Sequence, residues 1–297
     1  MPTLNIALTA FRSRQSSDKM ITVSSPAKVN LFLKVIGRRA DGYHNIVSIV
    51  DLVSIYDRIT IKCLDEDTFI VNDDRCVLPK DRTNTILKAA MLVKERYKIK
   101  KGADIFIEKH IPIGSGLGGP SSNGVTTIKA LVEEWGINAQ DHELFEIARM
   151  VGADCPLFLY GRPCIMRGIG DIITPIELPG LYYVIVYPER PLSTKDVYES
   201  LKIVLTKKEN DIKLSVNFNS VHDVVNVLHN DLEKAAIAML PDIIKIKERL
   251  LQAGALGSIM SGSGSSVFGI FDNSIKAEEA STKLNDLGRV FTAKSIK

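Results

Sequence analysis

The sequence predicts an α+β fold, and three observations predict it. Strand-like alternation of apolar and polar residues interleaves with helix-like 3.6-residue periodicity along the chain. Two loops rich in glycine and serine join such elements, at residues 113–122 and 261–266. The composition is that of an ordinary globular chain, 45% hydrophobic and 25% charged over 297 residues, enough for one large domain or two closely packed ones.

The elements follow in order. Residues 21–23 and 29–35 read as strands, as do 55–62 and 68–71. Residues 83–97 read as a helix that Thr83 or Asn84 can cap. Residues 104–109 alternate like a half-buried strand. After the first glycine loop a helix shows the face Val125, Ile128, Leu131, Val132 and Trp135, and Gly136 ends it. A second region starts near Pro175. It holds an apolar strand at 181–187 and a capping box from Asn230 to Glu233 that opens a helix. Helical periodicity runs from 243 to 251. Strands at 257–260 and 267–271 flank the second glycine loop, and a helix at 275–287 and a strand at 290–293 close the chain. The expected division is an N-terminal extension at 1–20, one domain at 21–175 and a second at 176–297.

Charge and cysteine usage exclude several function classes. The chain has 38 basic and 35 acidic residues, well mixed, for a net charge of +3. Nothing here predicts nucleic acid as the main partner. Cys63, Cys76, Cys155 and Cys164 make no CxxC pair and have no ligand-spaced histidines, so reduced cytosolic thiols are expected rather than a zinc site or disulfides. No apolar stretch is long enough to span a bilayer. Residues 1–19, with Arg12, Ser13, Arg14, Ser16 and Ser17, have the look of a transit peptide, or of a short extension before an alternative start at Met20.

The segment from Ile113 to Ser122 carries the strongest local signal. It runs strand, glycine loop, helix, with Gly114, Gly116, Gly118 and Gly119 free to adopt positive φ. The N–H groups at the following helix start favour an anion. Ser121 and Ser122 add hydroxyls for phosphate or its Mg²⁺. No Gly-Lys-Ser/Thr follows, so this is not a P-loop. A glycine turn with serine caps is the plainer alternative.

The run PxGxGLGGxSS, from Pro112 to Ser122, resembles the phosphate-binding motif of the GHMP kinases. The doubled glycine before Ser-Ser is similar to a branch of that family acting on a cytidine diphosphate alcohol of non-mevalonate isoprenoid synthesis. That branch reads GLGGGSSDAA, whereas this chain has Pro120 for a glycine, Asn123 for the aspartate and Gly124 for an alanine. Proline removes one N–H but suits the first position of a helix.

Further motifs stand in family order. PAKVNL supplies Lys28 and Asn30, two apart on a strand and so on one face. GADCPLFLYG supplies Asp154 and resembles the family's GADVPFFL. GRRADGYHNI supplies Tyr43 and His44 and is similar to the branch's KRxDGYHxL. PLSTKDVYES supplies Thr194 and Tyr198, and IMSGSGSSVFGIF supplies Gly262, Ser263 and Gly264. The resemblance spans about residues 24–271.

It implies a GHMP fold, with an N-terminal domain like domain 2 of ribosomal protein S5 and a ferredoxin-like C-terminal domain. It implies an ATP-dependent kinase of small-molecule alcohols, Mg²⁺ arriving on the ATP phosphates with Ser122 near it. Asp154 is then the base and Lys28 its charge partner, with Asn30 a substrate contact. Gly114, Gly116, Leu117, Gly118, Gly119, Ser121 and Ser122 hold ATP, with Asn84 and Lys109 at its base. Tyr43, His44, Thr194, Tyr198, Gly262, Ser263 and Gly264 line the substrate, Tyr198 completing an aromatic sandwich on cytosine.

Plainer roles stand beside these. Asp154 reads also as a cap before Pro156, Asn84 as a helix cap, Lys109 as a solvated strand end and Tyr198 as a core aromatic. The expected partner is a small molecule, with no nucleic acid or membrane, in a cytoplasmic monomer or weak homodimer. Rival readings are another GHMP kinase, a non-catalytic ligand sensor suggested by Pro120, and an RNA binder on the S5-like fold.

Overall fold

The computed structural model describes residues 13–15, 20–201 and 217–296. Apart from one short strand, the reading of residues 1–19 lies outside the described residues. Packing divides the chain into two compact units that interleave along the sequence. The first comprises the described residues of Met1–Ala27, Tyr56–Ile111 and Gly118–Gly161, and the second those of Lys28–Ile55, Pro112–Leu117 and Arg162–Lys297. A single boundary near residue 175 does not describe them, because two long strands, β2 (Met20–Arg38) and β3 (His44–Leu64), contribute to both.

The first unit holds β1 (Ser13–Gln15), the starting part of β2, the closing part of β3, β4 (Phe69–Asp73) and β5 (Gly102–Glu108). Their order is β1-β2-β3-β5-β4, with β1–β2 and β3–β5 antiparallel and β4–β5 parallel. The helices are α1 (Thr85–Tyr97), α2 (Gly119–Glu134), α3 (Asp141–Val151) and α4 (Cys155–Tyr160). The inward residues of alternate strand positions, Ile21, Val23, Ile59, Ile61, Ile105 and Ile107, cluster with Ile86 and Ala90 of α1 and Ala130 and Leu131 of α2. This is the period-2 against period-3.6 packing that the sequence pattern requires.

The second unit contains the remaining parts of β2 and β3 with β6 (Cys164–Gly168), β7 (Ile172–Pro175) and the short β9 (His229–Asn230). It also contains a four-stranded antiparallel sheet. This is built from β8 (Tyr182–Tyr187), β10 (Gly257–Met260), β11 (Val267–Phe271) and β12 (Arg289–Lys294), in the order β10-β11-β8-β12. Between β8 and β10 run α5 (Thr194–Glu199), α6 (Val221–Asn226), α7 (Glu233–Met239) and α8 (Asp242–Gln252), and α9 (Ser274–Thr282) joins β11 to β12. Strand, helices, two strands, helix, strand is the expected ferredoxin-like arrangement. Val184, Val186, Ile243, Ile246, Leu250, Met260 and Phe271 form its core.

Beneath β8, the carboxyl group of Asp51 is fully buried. Its Oδ2 accepts from the Tyr183 hydroxyl at 2.7 Å and the Ser295 hydroxyl at 2.5 Å, and its Oδ1 has no partner among the described residues. Burial pushes this carboxyl up to about 6, and the two hydroxyl bonds pull the other way. The chain end is tied by its backbone as well, Ser295 N–H to Leu181 O at 3.0 Å and Ile296 N–H to Leu52 O at 2.9 Å.

Some elements depart from expectation. β3 starts at His44, not near 55, since its first half is buried on both faces and shows no alternation. The expected capping box from Asn230 to Glu233 does not form. Asn230 lies in β9, Leu232 stands at the cap of α7, and the Glu233 carboxylate instead pairs with Lys247 and accepts from Met260 N–H at 3.0 Å. The last helix stops at Thr282, followed by a 3-10 turn at Asn285–Leu287.

Candidate active site

In the first unit the chain enters α2 through Gly118, which stands at the cap with φ 74° and offers no side-chain bond. The first intrahelical bond runs from Ser122 N–H to Gly118 O at 3.0 Å. The N–H groups of Gly119 and Ser121 therefore sit at the helix end, where no carbonyl of the preceding turn serves them. Pro120 is the second helical residue, one place later than expected, and lies where a missing N–H breaks no helix bond. Its carbonyl accepts from Thr85 Oγ1 at 2.7 Å, which ties α2 to α1. The Ser122 hydroxyl points inward: it is fully buried and accepts from Ser25 Oγ at 2.7 Å.

Asn84 and Lys109 are also turned inward. Asn84 caps α1, its Oδ1 accepting from Ile86 N–H at 3.0 Å while its amide donates to Pro79 O at 2.9 Å. Lys109 is 3% exposed, ion-paired with the fully buried Asp57, and donates to Asn123 Oδ1 at 3.0 Å. Both side chains are thus engaged within the protein, and the reading of Lys109 as a solvated strand end is wrong. Asp154 stands at the cap of α4, half-buried, but its carboxylate makes no capping bond. The plainer role as a helix cap is therefore not what this side chain does. Beside it the Cys155 thiol, pushed up to about 12 by burial, donates to Ser121 O at 3.7 Å.

In the second unit Lys28 and Asn30 share one face of β2, as their spacing requires. Lys28 Nζ donates to Asn30 Oδ1 at 2.5 Å and Asn30 Nδ2 to Ser48 Oγ at 2.8 Å. Ser48 in turn donates to Phe32 O at 2.6 Å. Both functional side chains are buried. The Lys28 N–H donates to Leu117 O at 3.0 Å, which fastens the glycine loop to this strand.

The loop after β10 closes over them. A Cβ on Gly262, which has φ 56°, would lie 3.1 Å from both Asn30 Oδ1 and Lys28 Nζ. Asn230 Nδ2 holds this loop by donating to Met260 O and Gly262 O, each at 2.8 Å. Ser261 Oγ donates to Gly116 O at 3.0 Å, and a Cβ on Gly116 would run into Ser261 O. The two glycine-rich loops, distant in sequence, therefore pack backbone to backbone. Ser263 Oγ lies 2.9 Å from Thr194 Oγ1.

Of the residues expected to recognise a base, His44 and Tyr198 meet, with ring centroids 5.0 Å apart and planes tilted by 33°. Tyr43 is 57% exposed, and the ring that Tyr198 meets is that of His44. Burial, and then the nearby Arg38, lower the His44 pKa, so its imidazole is neutral at pH 7 and offers one donor and one acceptor. Sequence reasoning missed Ser25, Asp57, Ser48, Ser261 and the role of Asn230. Ser25, Asp57 and Ser48 stand outside the motifs quoted above, Ser261 stands inside the second glycine loop without having been singled out, and Asn230 carried a misleading capping pattern.

Comparisons with known proteins show which family has this fold and sequence. The model of the GHMP kinases N terminal domain matches residues 84–162, and that of the GHMP kinases C terminal matches residues 214–290. A 4-diphosphocytidyl-2-C-methyl-D-erythritol kinase of Syntrophotalea carbinolica is 39% identical over 262 residues, 88% of this chain and 93% of that protein. One of Syntrophus aciditrophicus is 38% identical over 284 residues, 93% of this chain and all of that protein. A crystal structure of 4-(cytidine 5'-diphospho)-2C-methyl-D-erythritol kinase superposes with a TM-score of 0.76 at 30% identity, covering 93% of this chain and 99% of that one. With both domain models, close relatives and a matching fold in hand, the chain belongs to the GHMP kinases, in the family of 4-diphosphocytidyl-2-C-methyl-D-erythritol kinases.

Proposed function

We propose that the chain transfers the γ-phosphoryl group of ATP to the 2-hydroxyl of 4-diphosphocytidyl-2-C-methyl-D-erythritol, an alcohol phosphotransfer of the non-mevalonate isoprenoid route. As a GHMP kinase it is an ATP-dependent enzyme of a small-molecule substrate. The observation that carries the choice of substrate is the His44–Tyr198 ring pair, in the same unit as Lys28 and Asn30. Two rings with a neutral imidazole suit a nucleobase, through stacking and paired donor and acceptor bonds. Tyr43 adds an exposed ring on the same hairpin.

Asp154 takes the proton of the attacking hydroxyl as the new O–P bond forms and ADP leaves. Lys28 supplies positive charge to the reacting groups, and Asn30 orients the alcohol. Thr194, Tyr198, Gly262, Ser263 and Gly264 line the substrate. Gly114, Gly116, Leu117, Gly118, Gly119 and Ser121 cradle the ATP phosphates through backbone N–H groups and the helix end. The nucleotide fits there because Gly118 and Gly119 bring bare backbone to the start of α2. Asn84 and Lys109 border the adenine in this reading, with their side chains engaged within the protein. Mg²⁺, which neutralises phosphate charge in such transfers, is carried by the phosphates, with Ser122 behind the turn.

No helix among the described residues is long and apolar enough to cross a membrane, and all four cysteines are free. We place the enzyme in the cytoplasm, as a monomer or weak homodimer without a nucleic-acid partner. A coupled ADP-release assay tests the function. Turnover with Mg-ATP should require the cytidine moiety, and Asp154→Asn should lower kcat by about 10²–10⁴ while ATP still binds. Equal turnover of an alcohol lacking cytidine would overturn the choice of substrate.

A further inference from the structure

Asp57, in the closing part of β3, is fully buried, yet it accepts four hydrogen bonds. Its Oδ1 takes the backbone N–H groups of His110 at 2.7 Å and Ile111 at 2.8 Å. Its Oδ2 takes the Lys109 ammonium and the Asn123 amide, the latter at 2.9 Å. The network continues upward. Asn123 Nδ2 also donates to Ser25 Oγ at 2.9 Å, and Ser25 donates to Ser122 Oγ. Asn123 and Ser122 belong to the opening turns of α2.

From below, the same carboxylate supports the start of the helix. A Cβ on Gly119 would lie 3.1 Å from Ile111 Cγ2 and 3.5 Å from Lys109 Nζ, so the Asp57-held segment lies directly under the first helical residue. One carboxylate thereby fixes the strand end that enters the glycine loop and the helix turn that leaves it. The Asp57 carboxylate bonded to this lysine cancels its charge, which leaves attraction of an anion to the N–H groups at the helix end.

We infer that Asp57 is a positioning residue for ATP binding: through Lys109, the 110–111 backbone and Asn123 it holds the first turn of α2 in the orientation that receives phosphate. The inference rests on the reading that this turn binds the ATP phosphates. Asp57→Asn keeps the shape but cannot accept from both Lys109 and the strand-end N–H groups without a clash of donors. It also leaves the ammonium buried without its counter-ion.

The test is titration of a non-hydrolysable ATP analogue by calorimetry, with steady-state kinetics in parallel, on wild type, Asp57→Asn, Asp57→Asn/Lys109→Met and Ser25→Ala. The expected results are an approximately tenfold weaker analogue Kd and higher KM for ATP in Asp57→Asn, with the KM for the alcohol within about twofold. The double variant recovers most of the lost affinity, because no unpaired ammonium remains. Ser25→Ala, which cuts the network at its upper end and keeps both charges, weakens the analogue by about threefold and serves if Asp57→Asn does not fold.

Variants that lose thermal stability but bind the analogue like wild type would overturn the inference and leave the kinase reading intact. Wild type that fails to bind the analogue would overturn the phosphate turn itself, and the inference with it.

Discussion

Single residues account for the chemistry that was legible in the sequence. Lys28 and Asn30 had to share a face because strand side chains alternate, and the 2.5 Å bond between them bears that out. The Tyr43-His44 pair was legible as an aromatic motif, but not which ring would meet Tyr198. That depends on how the 38–44 hairpin turns, and there Asp41 accepts from Tyr43 N–H while Arg39 N–H donates to Tyr43 O. Inward-facing Lys109 was not legible at all, since its counter-ion stands 52 residues away. Gly262 yields a residue-scale prediction. Gly262→Ala forces a side chain into φ 56° and against Lys28 and Asn30. It should cost about 1–2 kcal/mol of stability through the left-handed backbone and lower kcat/KM at least about tenfold by displacing the two side chains. Thermal melts and kinetics check both, and an unchanged kcat/KM would show that the loop does not bear on Lys28.

At the scale of elements, periodicity found what it is able to find. α1, β5 and α2 appear where one face is apolar, and β8 and β11 where a short apolar run marks a strand buried on both faces. The first half of β3 hid because burial on both faces removes alternation. α3 hid although Gln140 and Glu143 form a capping box, a pattern legible only with glutamine admitted as a cap. Asn230 and Glu233 showed the opposite failure: the Asn230 amide donates to Met260 O and Gly262 O, its Oδ1 accepts from Leu232 N–H, and Glu233 turns to Lys247 and Met260 instead of reaching back to the cap. The start of α2 yields the prediction for this scale. Pro120→Ala restores one N–H to the phosphate turn and frees the unfolded chain. The variant should be about 0.4–1 kcal/mol less stable and bind ATP about fivefold more tightly, as read by chemical denaturation and calorimetry. Equal or weaker ATP binding would mean that this position does not face the phosphates.

For the molecule as a whole, stability should carry the signature of Asp51. Its folded-state pKa of about 6 stands above its ordinary 3.8, so the native state holds a proton that the unfolded chain releases. The sign is therefore opposite to that of an ion-paired carboxylate: stability conferred by the protonated form is full below about pH 4 and is lost as pH rises through 6. Denaturation across that window should show wild type losing up to about 3 kcal/mol relative to Asp51→Asn, and parallel curves would refute the shift. The same cluster bears on handling the protein. Ser295 spends both its hydroxyl and its backbone on this buried group and on Leu181. An affinity tag attached after residue 297 leaves that knot intact, whereas trimming the chain before Ser295 to aid crystallisation would take a hydroxyl from the buried carboxylate and release the chain end from Leu181 and Leu52.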